Sequence, residues 1–212
     1  MTNKKRITAV AISALAVLVV GAWLAWVVTY NRRIKALDLV PAEYYPMNTF
    51  VELGDNYCYG NYYDGLSICA NDYRIIDTDA YLEEKGLSED DFDYLTDKIC
   101  IVDLTVRYRA TEAQKKEARS PGEPYMDVNM GDFFMCGQDY YEVQNTDLYL
   151  VENPVKQETT GIRFHDGDDC NVKLVFNLDK RFYTGYSWKH IEDLPRMIYL
   201  TGTPVQKIIV LH

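Results

Sequence analysis

The stretch KICIVDLTVRYRA, residues 98–110, carries an alternation of period two. Cys100, Val102, Leu104, Val106 and Tyr108 fall on one side, and Asp103, Thr105, Arg107 and Arg109 on the other. Successive side chains of an extended chain point to opposite faces, so this pattern predicts a strand with one buried and one wet face, the signature of an antiparallel sheet. Two other segments repeat it. CNVKLVFNL (170–178) turns Val172, Leu174, Phe176 and Leu178 inward, and GLSICANDYRII (65–76) sets Leu66, Ile68 and Ala70 against Ser67, Cys69 and Asn71. Shorter apolar runs predict further strands at TFVELG (49–54), GDFFMCG (131–137) and TDLYLVEN (146–153). The chain closes with RMIYLTG (196–202) and VQKIIVLH (205–212), split at Thr203-Pro204.

Helical signals are few. DTDAYLEEKG (77–86) carries an Asp cap and a Gly stop, and SEDDFDYL (88–95) opens on a Ser followed by acids. ATEAQKKEARSPG (110–122) is charged without a pattern and reads as an exposed loop. Short strands separated by turn residues, with one or two short helices, predict a mainly β protein. An immunoglobulin-like antiparallel β-sandwich is preferred to a barrel.

The N-terminal thirty residues follow different rules. Residues 1–6 are polar and basic, through Lys4, Lys5 and Arg6, and residues 7–30 carry no charge. About 20 apolar residues in a helix cross about 30 Å of hydrocarbon, and Trp23, Trp26 and Tyr30 crowd one end, where amphipathic rings suit the headgroup layer. A cleaved signal has a shorter apolar core and a small-residue exit; here the exit is AWVVTYNRR. The expected layout is therefore a basic cytoplasmic segment (1–6), a transmembrane anchor (7–30), a tether (31–48) and a β-sandwich domain (49–212). Lys4, Lys5 and Arg6 are balanced by Arg32, Arg33 and Lys35, so the positive-inside count is tied. The signal-anchor arrangement places the large domain outside the cell, with the chain a single-pass membrane protein.

Three of the 22 basic side chains precede the span and all 32 acidic ones follow it, which leaves the domain near −13. Such a charge repels phosphate and argues against nucleic acid as a partner. Five cysteines, Cys58, Cys69, Cys100, Cys136 and Cys170, lie beyond the span without a C-x-x-C or zinc spacing. An odd number leaves at least one thiol unpaired. Cys100 and Cys170 both begin strand patterns, which makes a bridge across the core between them one reading; buried thiols acting as small hydrophobes are the other.

The order VPAEYYPMNTFVEL, YYDGLSICANDYRIIDTDAYLEEKGL, ICIVDLTVRY, a Gly/Asp-rich loop before CNVKLVFNL, and PRMIYLTGTPVQKIIVLH resembles a family of membrane-anchored bacterial exodomains of unknown function with an immunoglobulin-like sandwich. The resemblance covers nearly the whole chain past the anchor and implies no catalytic residues. The segment GDNYCYGNYYDGLSICA (54–70) departs from that pattern by its density of Tyr and Cys.

Residues 55–60 have the Asp and Gly of a calcium loop, but Tyr57 and Tyr59 stand where oxygen ligands are needed. HDGDDC (165–170) is a better set of hard oxygens, and Asp166, Asp168 and Asp169 are the candidate metal ligands; a solvated turn explains the same residues. His165, His190 and His212 are scattered, no serine lies in a G-x-S-x-G elbow, and no cofactor motif occurs. Adjacent tyrosines in a strand face opposite sides, so one of each pair Tyr44-Tyr45, Tyr62-Tyr63 and Tyr140-Tyr141 is expected at the surface. A tyrosine offers a rigid flat face and a hydroxyl, which makes Tyr57, Tyr59, Tyr62 and Tyr63 the candidate ligand-binding residues, for a saccharide or a protein strand. The expected function is a membrane-anchored extracytoplasmic binding module without catalysis, its partner an envelope protein or a glycan. A cell-envelope hydrolase using carboxylates that spacing does not single out is the alternative.

Overall fold

The computed structural model describes residues 40–211 except 59–60, 121–122, 138–140, 143 and 155–158, together with Val20, Gly21, Trp23 and Trp26. The chain divides into a unit of residues 1–40 and a unit of residues 41–212. The expected anchor over 7–30 falls almost wholly outside the described residues. Among the described residues no helix is long and apolar enough to cross a membrane.

The second unit is mainly β. One antiparallel sheet contains β2 (Val51–Glu52), β5 (Leu66–Asp77), β6 (Lys98–Tyr108) and β11 (Asp169–Leu178), in the order β11-β6-β5-β2. A second sheet contains β1 (Ala42–Pro46), β8 (Phe134–Cys136), β9 (Tyr141–Glu142), β12 (Arg196–Tyr199) and β13 (Gln206–Leu211), in the order β1-β13-β12-β8-β9. Two ribbons complete it: β3 (Tyr57–Cys58) with β4 (Asn61–Tyr62), and β7 (Tyr125–Asn129) with β10 (Gly161–His165).

The alternation read in β6 sets the core. Cys100, Val102, Leu104, Val106 and Tyr108 join Leu66, Ile68 and Ala70 of β5 and Val172, Leu174, Phe176 and Leu178 of β11 in one buried cluster. Met135, Ile198, Ile209 and Leu211 of the second sheet belong to the same cluster, so the two sheets share one interior. Between Ala70 and Asp72 the β5–β6 register shifts by one residue. A bulge of one residue exchanges the faces of all that follows. Tyr73 and Ile75 therefore continue the face begun by Leu66, Ile68 and Ala70, and Ile76 turns to the other side with Ile99 and Ile101.

That other side is not all wet. Helix α1 (Thr78–Lys85) and helix α3 (Thr146–Glu152) cover one end of it, and Tyr81, Leu82 and Leu148 pack there on Ile99, Ile101 and Val175. The outward positions of β6 are apolar under the helices and become Asp103, Thr105 and Arg107 beyond them.

Several expectations are corrected. Residues 42–46, expected within the tether, form β1, which runs parallel to β13, so the fold is mixed rather than purely antiparallel. The apolar run at 146–153, expected as a strand, is α3: the Asn145 side chain accepts from Leu148 N at 2.9 Å, which caps a helix. The expected loop at 110–122 contains α2 (Glu112–Glu117). Thr111 N donates to Gln114 Oε1 at 2.7 Å, and Gln114 N donates to Thr111 Oγ1 at 3.3 Å, the reciprocal box that T-x-x-Q encodes. With α4 (Gly185–Lys189) the described residues of the second unit hold four short α-helices where one or two were expected.

The Cys100–Cys170 bridge is also corrected. On the paired strands β6 and β11 Cys170 faces Val106 and Cys100 faces Phe176. Six residues of strand, about 20 Å at 3.3 Å each, separate the two sulfurs along the ladder, far beyond disulfide reach. Cys58, Cys69, Cys100 and Cys136 are buried free thiols.

Gly65 joins the tyrosine-rich hairpin to β5. Its φ is +87°, and a Cβ there would stand 2.4 Å from the Arg109 carbonyl oxygen. Only glycine allows the β5 and β6 ends to close at that point, where Arg109 N donates to Gly65 O at 2.9 Å.

Candidate functional site

The hairpin β3–β4 pairs Tyr57 with Tyr62 and Cys58 with Asn61. Alternation sends the first pair outward and turns the second toward Asp132, Cys58 buried and Asn61 still exposed. Tyr57 and Tyr62 stand side by side at 5.1 Å between ring centroids, edge to face, with 40% and 64% of their surface exposed. Tyr57 is also tied through its backbone to the 202–203 turn, its N–H donating to Thr203 O at 2.6 Å and its carbonyl accepting from Gly202 N at 2.8 Å. Tyr63, expected at the surface, is only 2% exposed. Tyr59 lies outside the described residues.

What fixes the inner face is Asp132, buried in the 3-10 turn Met130–Asp132. Its Oδ2 accepts from Tyr63 Oη at 2.6 Å and Asn61 Nδ2 at 3.0 Å, and its Oδ1 accepts from Asn129 Nδ2 at 2.8 Å. Cys58 Sγ donates to the Asp132 carbonyl at 3.6 Å, and Asn129 N donates to Tyr63 Oη at 3.2 Å. Burial, with the Asp132 charge beside it, pushes the Cys58 thiol up to about 12, so it stays a neutral donor. The Tyr63 phenol is raised by burial and by its hydrogen bond to Asp132.

A groove of about 540 Å³ opens next to this network, lined among others by Asn61, Tyr63, Asp127, Asn129, Gly161 and Arg163. Arg163 donates from Nε and Nη2 to the two oxygens of Asp127 at 2.8 and 3.0 Å. That fork holds the Asp127 carboxyl below the usual carboxylate range. The Arg163 guanidinium also lies 4.3 Å from the Tyr125 ring centroid.

A larger cleft, about 880 Å³, lies between the start of α1, residues 94–98 and residues 179–188, with Leu82, Tyr94, Lys98, Asp179, Arg181 and Trp188 on its walls. Arg181 Nε donates to both oxygens of Asp179 at 3.0 and 2.9 Å, and Tyr94 Oη donates to Asp179 Oδ2 at 3.0 Å. The Arg181 hydrogen bonds hold the Asp179 carboxyl far below its ordinary value. Lys98 Nζ pairs with Asp77 at 2.8 Å.

The acids expected to bind metal diverge. Asp166 Oδ1 accepts from Ala110 N at 2.8 Å, Asp168 Oδ2 accepts from His165 N at 2.7 Å, and Asp169 pairs with Arg107 at 3.1 Å and Arg109 at 2.6 Å. Asp168 closes the β10–β11 turn, and Asp166 and Asp169 tie that turn to the end of β6. Among the described residues no three His, Cys, Asp or Glu side chains gather to hold a metal ion.

One carboxyl that the sequence does not flag stands apart. Glu142 of β9 is buried and accepts from Tyr183 Oη at 3.1 Å. Burial pushes it from an ordinary 4.5 up to about 7, against the opposing hydrogen bond from Tyr183. The folded chain therefore holds this proton where the unfolded chain has released it. Its contribution to stability is fully present below pH 4.5 and is lost as pH rises to about 7, by up to about 3 kcal/mol. Urea midpoints measured from pH 4.5 to 8 should show the E142Q variant gaining on the native chain as pH rises; parallel curves would refute the assignment.

These features define a mainly β domain of two sheets with polar, ion-paired grooves and an exposed aromatic hairpin. A family model described as a domain of unknown function, DUF5028, matches residues 42–207, from the first residue of β1 into β13, and the chain belongs to that family. No curated protein and no solved structure matches it.

Proposed function

We propose that the chain is a membrane-anchored, extracytoplasmic binding module of immunoglobulin-like sandwich type, without catalytic activity, whose partner is an envelope protein or a glycan. The carrying observation is the Tyr57–Tyr62 pair, two exposed rings on a hairpin whose other face is locked by Asp132. Rigid aromatic surface binds at low entropic cost, and tyrosines are frequent binding hot spots. Two carboxylates at the grooves, Asp127 and Asp179, are held as anions by Arg163 and Arg181, which suits recognition better than general-acid chemistry. Glu142, the carboxyl raised toward neutrality, is among the lining residues of neither groove. Residues 7–30 supply the anchor in this reading, and the acidic charge argues against nucleic acid as a partner.

The test is capture of envelope proteins and glycans by the full chain and by its Y57A/Y62A variant. Two hot-spot rings at roughly 1–2 kcal/mol each predict a loss of retention of ten-fold or more. Retention equal to the native chain would remove the hairpin from the site. Protease shaving of intact cells tests the outward orientation, which full protection of the domain would overturn.

A further inference from the structure

We propose that the 540 Å³ groove beside the β7–β10 ribbon binds an uncharged polyhydroxylated ligand, a short segment of saccharide chain. This rests on the reading of the chain as a binding module and assigns a site separate from the outward tyrosine pair: in β4, Asn61 lines the groove, while its neighbour Tyr62 pairs with the outward Tyr57. The size falls within the roughly 300–1,000 Å³ usual for ligand sites.

Hydrogen-bond bookkeeping selects the ligand class. The amide of Asn61, the phenol of Tyr63 and the amide of Asn129 all donate to Asp132, and the Asn129 carbonyl oxygen is taken by Gly131 N at 3.1 Å and Thr160 Oγ1 at 2.7 Å. Polar groups pinned in this way do not have to be ordered when a ligand arrives. Left over are the carbonyl oxygen of Asn61, the outer lone pairs of Asp127 and the Nη1 donors of Arg163, whose Nε and Nη2 are committed to Asp127. Acceptors and donors set close together on a fixed fork match neighbouring hydroxyls, each of which donates and accepts.

Charge narrows the class further. Asp127 and Arg163 cancel, so the exposed pair has no net charge to offer a cation or an anion. The strongly acidic domain repels polyanions at longer range. The alternation of β7 exposes Tyr125, Asp127 and Asn129 on one face, and the Tyr125 ring, just outside the groove lining, lies 4.3 Å from the Arg163 guanidinium and holds that fork in place as a positioning residue.

The experiment titrates the full chain with neutral β-1,4-linked tetrasaccharides of glucose and of N-acetylglucosamine, with polygalacturonate as the anionic control, by calorimetry. Arg163 and Tyr125 are exposed, so R163Q and Y125A can be read without loss of the fold, confirmed by circular dichroism. The expected result is saturable binding of a neutral tetrasaccharide, weakened at least ten-fold in both variants, with no polygalacturonate bound. No neutral saccharide bound, or equal binding by R163Q, overturns the assignment. Loss in Y57A/Y62A alone moves the sugar to the hairpin and overturns the groove while leaving the binding-module reading intact. Binding of an extended peptide in place of saccharide, lost in R163Q, also overturns the ligand class. Failure of both this titration and the envelope capture removes the binding reading itself.

Discussion

Replacing Phe176 by alanine should lower the unfolding free energy of the chain by about 3–5 kcal/mol, the range seen for aromatic truncation in a tight core. Phe176 has no exposed surface and belongs to the cluster that both sheets share. It pairs with Cys100 across β6, and the segment entering α3 bridges to it at Gln144. No neighbour on that strand pair can collapse into the space without breaking the ladder, so the cavity term adds to the lost transfer energy. Since whole domains are stable by only about 5–15 kcal/mol, this one change takes a large fraction. Phe182, 64% exposed, is the control, and F182A should move stability by no more than about 0.5 kcal/mol. Urea midpoints of the two variants decide it: equal shifts would mean that the interior is not built around β11.

The part of the fold readable in advance is the part whose burial is periodic. β5, β6 and β11 announce themselves because each carries a stretch with a buried face, but which of them pair, and in what order, is not in that pattern. The bulge at Asn71 does not, since the sequence simply stops alternating there, and a strand end and a register shift look alike. β1 was hidden for a different reason. It is exposed apart from Tyr45, so no hydrophobic pattern marks it, and its pairing with β13 joins the two ends of the domain. In α3 four consecutive apolar residues divide between two clusters, Tyr149 and Leu150 on one and Leu148 and Val151 on the other. A run buried all round carries neither period. The candidate site shows the same limit. Alternation correctly separates Tyr62 from Tyr63, and the acids at 165–170 look like metal ligands until their partners at Ala110, Arg107 and Arg109 are known. Asp132 was invisible because its three donors come from residues 61, 63 and 129, and nothing local to GDFF distinguishes a carboxylate that will be buried from one that will be solvated.

Asp132 is therefore where loss of a single side chain should reach both stability and binding. Hydrogen bonds to a charged acceptor are worth about 1.5–3 kcal/mol each, and the larger cost comes from donors left buried without one. The D132A change strands the Tyr63 hydroxyl, 2% exposed, while the amides of Asn61 and Asn129, on exposed residues, can turn to water, so a loss of about 2–4 kcal/mol is expected in urea unfolding. The native site uses both carboxylate oxygens as acceptors. The D132N variant keeps the volume but has one carbonyl oxygen, so its own amide must confront either Asn129 or the Asn61–Tyr63 pair, and it should rescue little. Y63F removes one donor and leaves the carboxylate with two, so it should cost only about 1–2 kcal/mol. The ordering D132A near D132N, both well beyond Y63F, separates a charge holding three donors from a residue that merely fills space, for which D132N would be nearly neutral. Amide exchange gives a second reading: the hairpin is held by this network on one side and by the 202–203 turn on the other, so Tyr57 N–H should lose protection in D132A while the β5–β6 ladder keeps it. Unchanged protection at Tyr57 together with a stability loss under about 0.5 kcal/mol would show that the hairpin stands without Asp132.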